Sequence, residues 1–154
     1  MSVNPIPDGY HSVTPYLIVD DAEAALKFYR EALGAEEVVR LPMGGKIGHA
    51  EIRIGNSMVM LSDEWPDMGA LGPKTRGGAT SSFVLYVEDA DKAFDRAVKA
   101  GAKVDKPVEN QFWGDRMGSV TDPFGHKWSF GSHVEDVAAE EMQKRMEVWS
   151  GQQG

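Results

Sequence analysis

The sequence predicts an α+β fold in which two βαβββ modules pair into a curved mixed sheet, followed by a C-terminal helix. Segments with strand and helix spacing occur in the order strand, helix, strand, strand, strand, and this order occurs twice. A shift of 68 positions also places Ile18-Val19-Asp20-Asp21-Ala22 on Tyr86-Val87-Glu88-Asp89-Ala90. Such a repeat indicates duplication of one module. Since neither half-sheet can bury its own face, we expect the two halves to share a core and to enclose a cavity.

The first module spans residues 10–62. Alternating apolar residues predict strands, and an apolar stripe at 3/4 spacing predicts a helix that Asp20 or Asp21 caps and Gly34 ends. The predicted elements are a strand at 11–19, a helix at 22–33, and strands at 36–41, 47–54 and 57–62. Residues 63–79 are rich in glycine and proline and have no clear period, so we interpret them as a linker or lid.

The second module spans residues 80–133 and repeats this order. The predicted elements are a strand at 81–88, a helix at 89–100, an edge strand at 103–109 that contains Pro107, and a hairpin formed by 112–121 and 126–131. Asp122-Pro123-Phe124-Gly125 forms the hairpin turn, because Pro123 presets its own φ and Gly125 supplies a positive φ. After the turn, Trp128 and Phe130 share one face, which we expect to be buried.

The pattern of residues 134–150 predicts a helix that follows the second module. Its amphipathic segment covers residues 137–149, and Asp136 is the expected N-cap. The apolar stripe consists of Ala138, Met142, Met146 and Trp149. We expect this stripe to pack on the sheet or on a second subunit.

Composition narrows the range of partners. The formal net charge of −8 argues against nucleic acid and anionic membranes, which require clustered lysine and arginine, and is compatible with a cationic ligand. No apolar run reaches the roughly 20 residues of a membrane span. The chain has no cysteine, which fits a reducing compartment, so we expect a cytoplasmic protein.

The two modules resemble the vicinal oxygen chelate superfamily, which includes glyoxalase I, extradiol dioxygenases and bleomycin-binding proteins. The resemblance covers residues 10–136 and rests on Phe28-Tyr29-Arg30-Glu31-Ala32-Leu33-Gly34 and Asp122-Pro123-Phe124-Gly125-His126. Trp113-Gly114-Asp115-Arg116, followed by this second motif and by Gly131-Ser132-His133, is similar to the PhnB-like branch. The fold alone does not specify the reaction, since this superfamily carries several chemistries.

The resemblance also implies where metal ligands would lie. The superfamily's ligand positions fall on Thr14, Met60, Ser82 and Ser129. Hydroxyls and a thioether are poor ligands for Zn²⁺, Ni²⁺, Mn²⁺ or Fe²⁺, so we expect no metal cofactor. The weak alternative is a displaced metal site at His49 and Glu51, which share one face of a strand.

The concave face of the predicted sheet would then form an apolar to mildly polar cup. The predicted ligand-binding residues are Thr14, Tyr16, Met58, Met60, Ser82, Tyr86, Trp113 and Ser129. We expect a metal-independent protein that binds or sequesters a small aromatic or cationic molecule, as bleomycin-resistance proteins do, and that forms a homodimer. The alternative is a metal-dependent lyase, isomerase or dioxygenase. The sequence leaves open the ligand, whether any reaction is catalysed, and whether the modules pair within one chain or between two.

Overall fold

A computed structural model describes residues 2–153 and contains both βαβββ modules. The first module comprises β1 Tyr16–Val19, α1 Ala22–Leu33, β2 Glu36–Met43, β3 Lys46–Ile54 and β4 Ser57–Asp63. A 3₁₀ turn Pro66–Met68 and the one-turn helix α2 Pro73–Arg76 lie in the connection. The second module comprises β5 Ser82–Tyr86, α3 Ala90–Ala100, β6 Lys103–Asn110, β7 Asp115–Thr121 and β8 Lys127–His133, and α4 Ala139–Gln153 follows.

Each module forms a four-stranded mixed sheet with the same topology. The strand orders are β1-β4-β3-β2 and β5-β8-β7-β6, and in each sheet the first pair is parallel and the other two are antiparallel. This confirms the predicted fold class and the C-terminal helix. In the described residues the two sheets are not joined by backbone hydrogen bonds, so β1 and β5 each have a strand neighbour on one side only.

One hydrophobic core joins the two modules. It combines α1, α3 and one face of each sheet, and Tyr29, Trp128 and Phe130 are among its largest fully buried side chains. The rings of Tyr29 and Trp128 meet edge to face with centroids 5.6 Å apart. The prediction that Trp128 and Phe130 form the buried face of the last strand is therefore confirmed.

The carboxylate of Asp122 connects the core to the hairpin turn. Its Oδ1 accepts hydrogen bonds from the backbone amides of Phe124 and His126, both at 2.9 Å. Its Oδ2 accepts from the Tyr29 hydroxyl at 2.5 Å and from the Trp128 indole at 2.9 Å. Asp122 is 4% exposed, and these four donors satisfy a carboxylate that would otherwise be costly to bury. Because Tyr29 lies on α1, this bond crosses from one module to the other.

Buried polar groups also fix the start of each helix. In the first module, Asp63 is buried and accepts from the Ala22 amide at 2.8 Å and from the Ile47 amide at 2.7 Å. At the equivalent place in the second module, Ser132 accepts from the Ala90 amide at 2.9 Å. The sequence left Asp20 and Asp21 as candidates for the N-cap of α1, and in the structure the N-cap is Asp21.

Several predicted boundaries were wrong. The first strand starts at Tyr16, and the preceding residues lie outside any strand, with Val13 85% exposed. Pro15, which has no N–H, contributes only its carbonyl, bonded to the Met60 amide at 2.9 Å. The second strand continues through Pro42 to Met43, because a register shift in the β2–β3 pairing accommodates the proline.

The C-terminal helix α4 begins later than predicted, at Ala139. Asp136 is not its N-cap, because the Asp136 carboxylate bonds to His133 at 2.7 Å. The apolar stripe is only partly covered, with Met146 and Trp149 each 45% exposed. Arg145 holds the helix in place through Glu135 at 2.7 Å, and Trp149 packs against Phe112 with ring centroids 5.7 Å apart. Within residues 2–153, no helix is both long and apolar enough to cross a bilayer.

We predict that Asp122→Asn lowers the free energy of unfolding by about 3 kcal/mol. The amide has only one acceptor oxygen for four donors, and its NH₂ group would face some of those donors. Urea unfolding followed by tryptophan fluorescence measures this loss. The control is Asp95→Asn on the exposed face of α3, which we expect to change stability by less than about 0.5 kcal/mol. Equal effects of the two substitutions would contradict the role of Asp122.

Candidate functional site

Each sheet has one face turned away from the helices, which we call its open face. In the first sheet, alternation places Leu17, Ile52 and Leu61 in the core and their neighbours on the open face. The open face of the first sheet carries Tyr16, Ile18, His49, Glu51, Arg53 and Met60. The open face of the second sheet carries Ser82, Val84, Tyr86, Asp115, Met117, Ser129, Gly131 and His133. Tyr16, Val84 and Tyr86 are 48%, 49% and 65% exposed, so aromatic and apolar groups face solvent on both sheets.

Four polar residues form a connected network on the first open face, which we call the first-sheet tetrad: Tyr10, Tyr16, His49 and Glu51. The Tyr16 hydroxyl lies 2.8 Å from His49 Nδ1, and His49 Nε2 lies 2.8 Å from Glu51 Oε2. The Tyr10 hydroxyl donates to the other carboxylate oxygen, Oε1. In the sheet, Glu51 and Tyr16 are register partners of Met60 from opposite sides. The tetrad therefore extends across the middle of the open face, over Met60.

The charge of Glu51 determines how these bonds are directed. Hydrogen bonds from Tyr10 and then His49 lower the pKa of Glu51, so it is a carboxylate at neutral pH. Partial burial and then the bond to Glu51 raise the pKa of Tyr10 to about 12, so Tyr10 remains a donor. Because a carboxylate only accepts, the neutral form of the His49 imidazole donates from Nε2 to Glu51 and leaves Nδ1 to accept from Tyr16.

The second open face carries a different network of similar residue types, which we call the second-sheet cluster: Tyr86, Trp113, Asp115 and His133. Asp115 is 3% exposed and lies at its centre. Its Oδ2 accepts from the Tyr86 hydroxyl at 2.7 Å and from the Trp113 indole at 3.0 Å. Its Oδ1 lies 2.8 Å from His133 Nδ1. Gly131, on the same face, leaves room for the Met117 side chain, since a Cβ at this position would come within 2.7 Å of Met117 Cε.

The pKa directions in this cluster follow from its charges. Burial raises the pKa of Asp115, but bonds from His133, Tyr86 and Trp113 together outweigh burial and lower it. Bonds to Asp136 and then to Asp115 raise the pKa of His133. His133 therefore connects β7 and β8 to the segment that leads into α4.

The structure brings some of the predicted cup residues together and separates others. Tyr16 and Met60 are register partners, and Tyr86 and Trp113 share the Asp115 carboxylate. Ser129 pairs with Val84 rather than with Ser82, which pairs with Lys127. Thr14 precedes β1 and is half-buried, while Met58 is only 4% exposed.

The residues at the superfamily's metal positions do not fit a transition metal. Thr14, Met60, Ser82 and Ser129 offer neither imidazole nor carboxylate. At the displaced pair, both ring nitrogens of His49 already have hydrogen-bond partners. Across residues 2–153, no three His, Asp or Glu side chains are grouped so that they could hold a metal ion.

Sequence reasoning missed three members of these networks. Tyr10 lies in an irregular N-terminal segment, and no sequence signal connects it to Glu51. Asp115 does not pair with the adjacent Arg116, which bonds Asp91 on α3 at 2.7 Å. The strand period contained the needed signal, because Asp115 and Arg116 point to opposite faces of β7. His133 is the register partner of Asp115, and this pairing follows from the hairpin register.

The comparisons with known proteins agree with this architecture. The sequence profile of the Glyoxalase/Bleomycin resistance protein/Dioxygenase superfamily matches residues 9–130. The chain belongs to this superfamily. It is 43% identical over 150 residues to an uncharacterized protein of Mycobacterium bovis, covering 95% of this chain and 96% of that protein. It is 28% identical over 141 residues to protein YjdN of Escherichia coli, covering 75% and 91%. Among solved structures, TioX from Micromonospora sp. ML1 is similar, with a TM-score of 0.64, 28% identity, and coverage of 80% of this chain and 99% of TioX.

We predict that His133 makes the stability of this superfamily member depend on pH near neutrality. Its pKa is raised in the folded protein, so the stabilisation is complete below about pH 6.5 and is lost as the pH rises through the folded value. The urea midpoint of the wild-type protein should therefore decrease as the pH rises above about 6.5 and through the folded pKa, and His133→Gln should flatten that change. His11→Gln, in the exposed N-terminal segment, is the control. An unchanged pH dependence in His133→Gln would contradict the prediction.

Proposed function

We propose that this protein binds a small aromatic or cationic organic molecule on its open faces without a resident metal ion, as bleomycin-resistance-type sequestration proteins do. The observation that carries the proposal is the composition of those faces. The exposed Tyr86 bonds directly to the Asp115 carboxylate, and the exposed Tyr16 is joined to the Glu51 carboxylate through His49. An aromatic ring face next to a negative charge favours a planar cation, through stacking and cation–π attraction.

Two further observations support binding rather than metal chemistry. The donor set at the superfamily's metal positions does not fit a transition metal, and His49 and Glu51 are engaged with each other and with Tyr16 and Tyr10. The net charge of −8 attracts cations at long range. The phrase Trp113-Gly114-Asp115-Arg116 supports placement in the PhnB-like branch. The absence of cysteine supports a cytoplasmic location, where the protein would sequester a toxic compound such as an antibiotic.

A homodimer would complete the binding site. The outer edges of β1 and β5 have no strand neighbour in the described part of the chain, and Val84 and Tyr86 on β5 are 49% and 65% exposed. A cleft of about 760 Å³ also lies along β5, between it and the β3–β4 turn. Unpaired edges and exposed apolar side chains favour association with a second copy. Association would bring an open face of the first sheet and an open face of the second sheet together into one cup.

We predict that the planar cation proflavine binds and that Tyr16→Ala and Tyr86→Ala each weaken this binding fivefold to thirtyfold, the effect of losing about 1 to 2 kcal/mol of cation–π attraction. Fluorescence titration measures the dissociation constants. Trp149→Ala, which removes an exposed aromatic ring on α4, is the control and should change binding less than about twofold. Unchanged binding in both tyrosine variants would contradict the proposal. So would a stoichiometric transition metal in chelator-free protein that is lost in His49→Ala, which would favour the metal-dependent alternative.

We further predict that the protein has twice the mass of one chain in solution and that Val84→Lys shifts it to the monomer. A lysine on the β5 edge would place charge in the proposed interface, a substitution that natural edge strands use to prevent pairing. Light scattering coupled to size-exclusion chromatography measures the mass. Val3→Lys, at an 86% exposed position, should leave the mass unchanged. A monomeric wild-type protein would contradict the dimer.

A further inference from the structure

We propose that residues 10–15 form a strap that closes one end of the first open face and must move away before a cationic ligand reaches Glu51. The proposal rests on the proposed binding of such a ligand and adds a means of regulating it. The strap precedes β1 and belongs to no helix or strand. The Tyr10 hydroxyl donates to Glu51 Oε1, so the strap itself holds the carboxylate oxygen that a cationic N–H group would take.

The burial of Met58 locates the strap on the sheet. On β4, Val59 faces the core, so its neighbour Met58 lies on the open face. Met58 is nevertheless only 4% exposed, although it does not belong to the cluster of side chains that forms the shared core. A segment on the open face must therefore cover it. The cleft beside Met58 has a volume of about 300 Å³ and is bordered by His11, Val13 and Pro15 of the strap.

The Tyr10 side chain completes this cover. Burial and then Glu51 raise the pKa of Tyr10 to about 12 although the charge of Arg53 lowers it, so Arg53 also lies close to the phenol. In the sheet, Glu51 is the register partner of Met60 and Arg53 is the register partner of Met58. The phenol therefore stands above the part of β4 between the two methionines, and the strap occupies area that a ligand on this face would use.

Few bonds hold the strap closed. It is hinged at Pro15, whose carbonyl pairs with β4 at the start of the first strand. Before that point, the described residues show two hydrogen bonds from the strap to the sheet, the Tyr10 bond and one of 3.3 Å from His11 Nε2 to the Asn56 carbonyl. Val13, between the hinge and these bonds, is 85% exposed. Since each bond competes with water and stabilises little, the strap can open without disturbing the core.

The second module lacks this cover. By the 68-residue repeat, Met58 on β4 corresponds to Lys127 on β8, because their strands pair with β1 and β5 in the same register. Lys127 is exposed, whereas Met58 is buried. The cover is therefore a property of the N-terminal segment and not of the module's fold.

A cationic ligand is matched to displace the Tyr10 contact. Glu51 is a carboxylate at neutral pH, and its second oxygen remains engaged with His49. The phenol offers Glu51 a neutral donor, whereas a cationic N–H group forms a shorter and stronger charge-assisted hydrogen bond. Because both donors compete for Oε1, closure and binding exclude each other. The measured affinity is then the intrinsic affinity reduced by the fraction of molecules whose strap is open.

The test uses proflavine and a spin label on the strap. The chain contains no cysteine, so Val13→Cys provides a single labelling site. Electron paramagnetic resonance measures the mobility of a nitroxide attached there. We expect saturating proflavine to raise the mobile fraction, and Tyr10→Phe to raise it without any ligand. Fluorescence titration should show that Tyr10→Phe tightens proflavine binding about threefold to tenfold, because a larger fraction of the molecules is open.

Two controls isolate the strap. Thr121→Val removes another hydroxyl–carboxylate bond, to Asp105 on an exposed part of the second sheet, and should change neither label mobility nor proflavine affinity. A label at Asp95→Cys on α3 should respond neither to proflavine nor to Tyr10→Phe.

Either of two results would overturn the proposal. The first is equal mobility of the Val13 label with and without Tyr10→Phe. The second is unchanged or weaker proflavine binding in Tyr10→Phe, which would make Tyr10 part of the binding surface instead of its cover. If proflavine binds neither protein, the proposed function fails, and a mobility increase in Tyr10→Phe still supports the strap.

Discussion

The buried carboxylate of Asp122 is the interaction on which the arrangement of the two modules depends. One of its oxygens closes the β7–β8 turn through two backbone amides, and the other joins the Trp128 indole to the Tyr29 hydroxyl of α1. Burial and then this carboxylate raise the pKa of Tyr29 well above its usual value, so the phenol stays a donor at neutral pH. A single residue therefore sets both a local turn and the contact between modules. His126, in the same turn, adds a bond of 2.9 Å to the Ile18 carbonyl on β1.

The two open faces show how a duplicated module diverges without a change of fold. Each sheet keeps its strand order and its helix-facing core, because substitutions there would leave cavities. The open faces are free to vary, and each now carries a tyrosine, a histidine and a carboxylate in a different connectivity. On the first sheet the histidine lies between the other two, whereas on the second the carboxylate is at the centre. The same residue types thus form two different hydrogen-bond networks on the two open faces.

Local patterns in the sequence predicted the helices and strands well but predicted the side-chain contacts between distant residues poorly. The helix of each module, a cap at Asp20 or Asp21, the Gly34 end and the buried face of Trp128 all follow from spacing over a few residues, and the structure confirms them, with Asp21 as the cap. Tyr16 and Met60, which the cup prediction placed on one face, are register partners, because strand order fixes that pairing. Met58 is only 4% exposed, which alternation could not show, since what covers a strand depends on segments remote in sequence. The predicted strand at 11–19 was too long, because Pro15 and the exposed Val13 do not continue the ladder.

The sequence by itself determined the order of strands and helix within each module, the repeat and the buried face of the last strand. Those properties depend on periodicity and on residue type, which are readable within a short window. Only the tertiary structure decided which polar side chains meet. Tyr10 reaches Glu51 over 41 positions, Tyr16 reaches His49 over 33, and Tyr86 reaches Asp115 over 29. Such contacts follow from strand register and from the path of an irregular N-terminal segment. No local preference encodes them, because their geometry is set by the packing of the whole core.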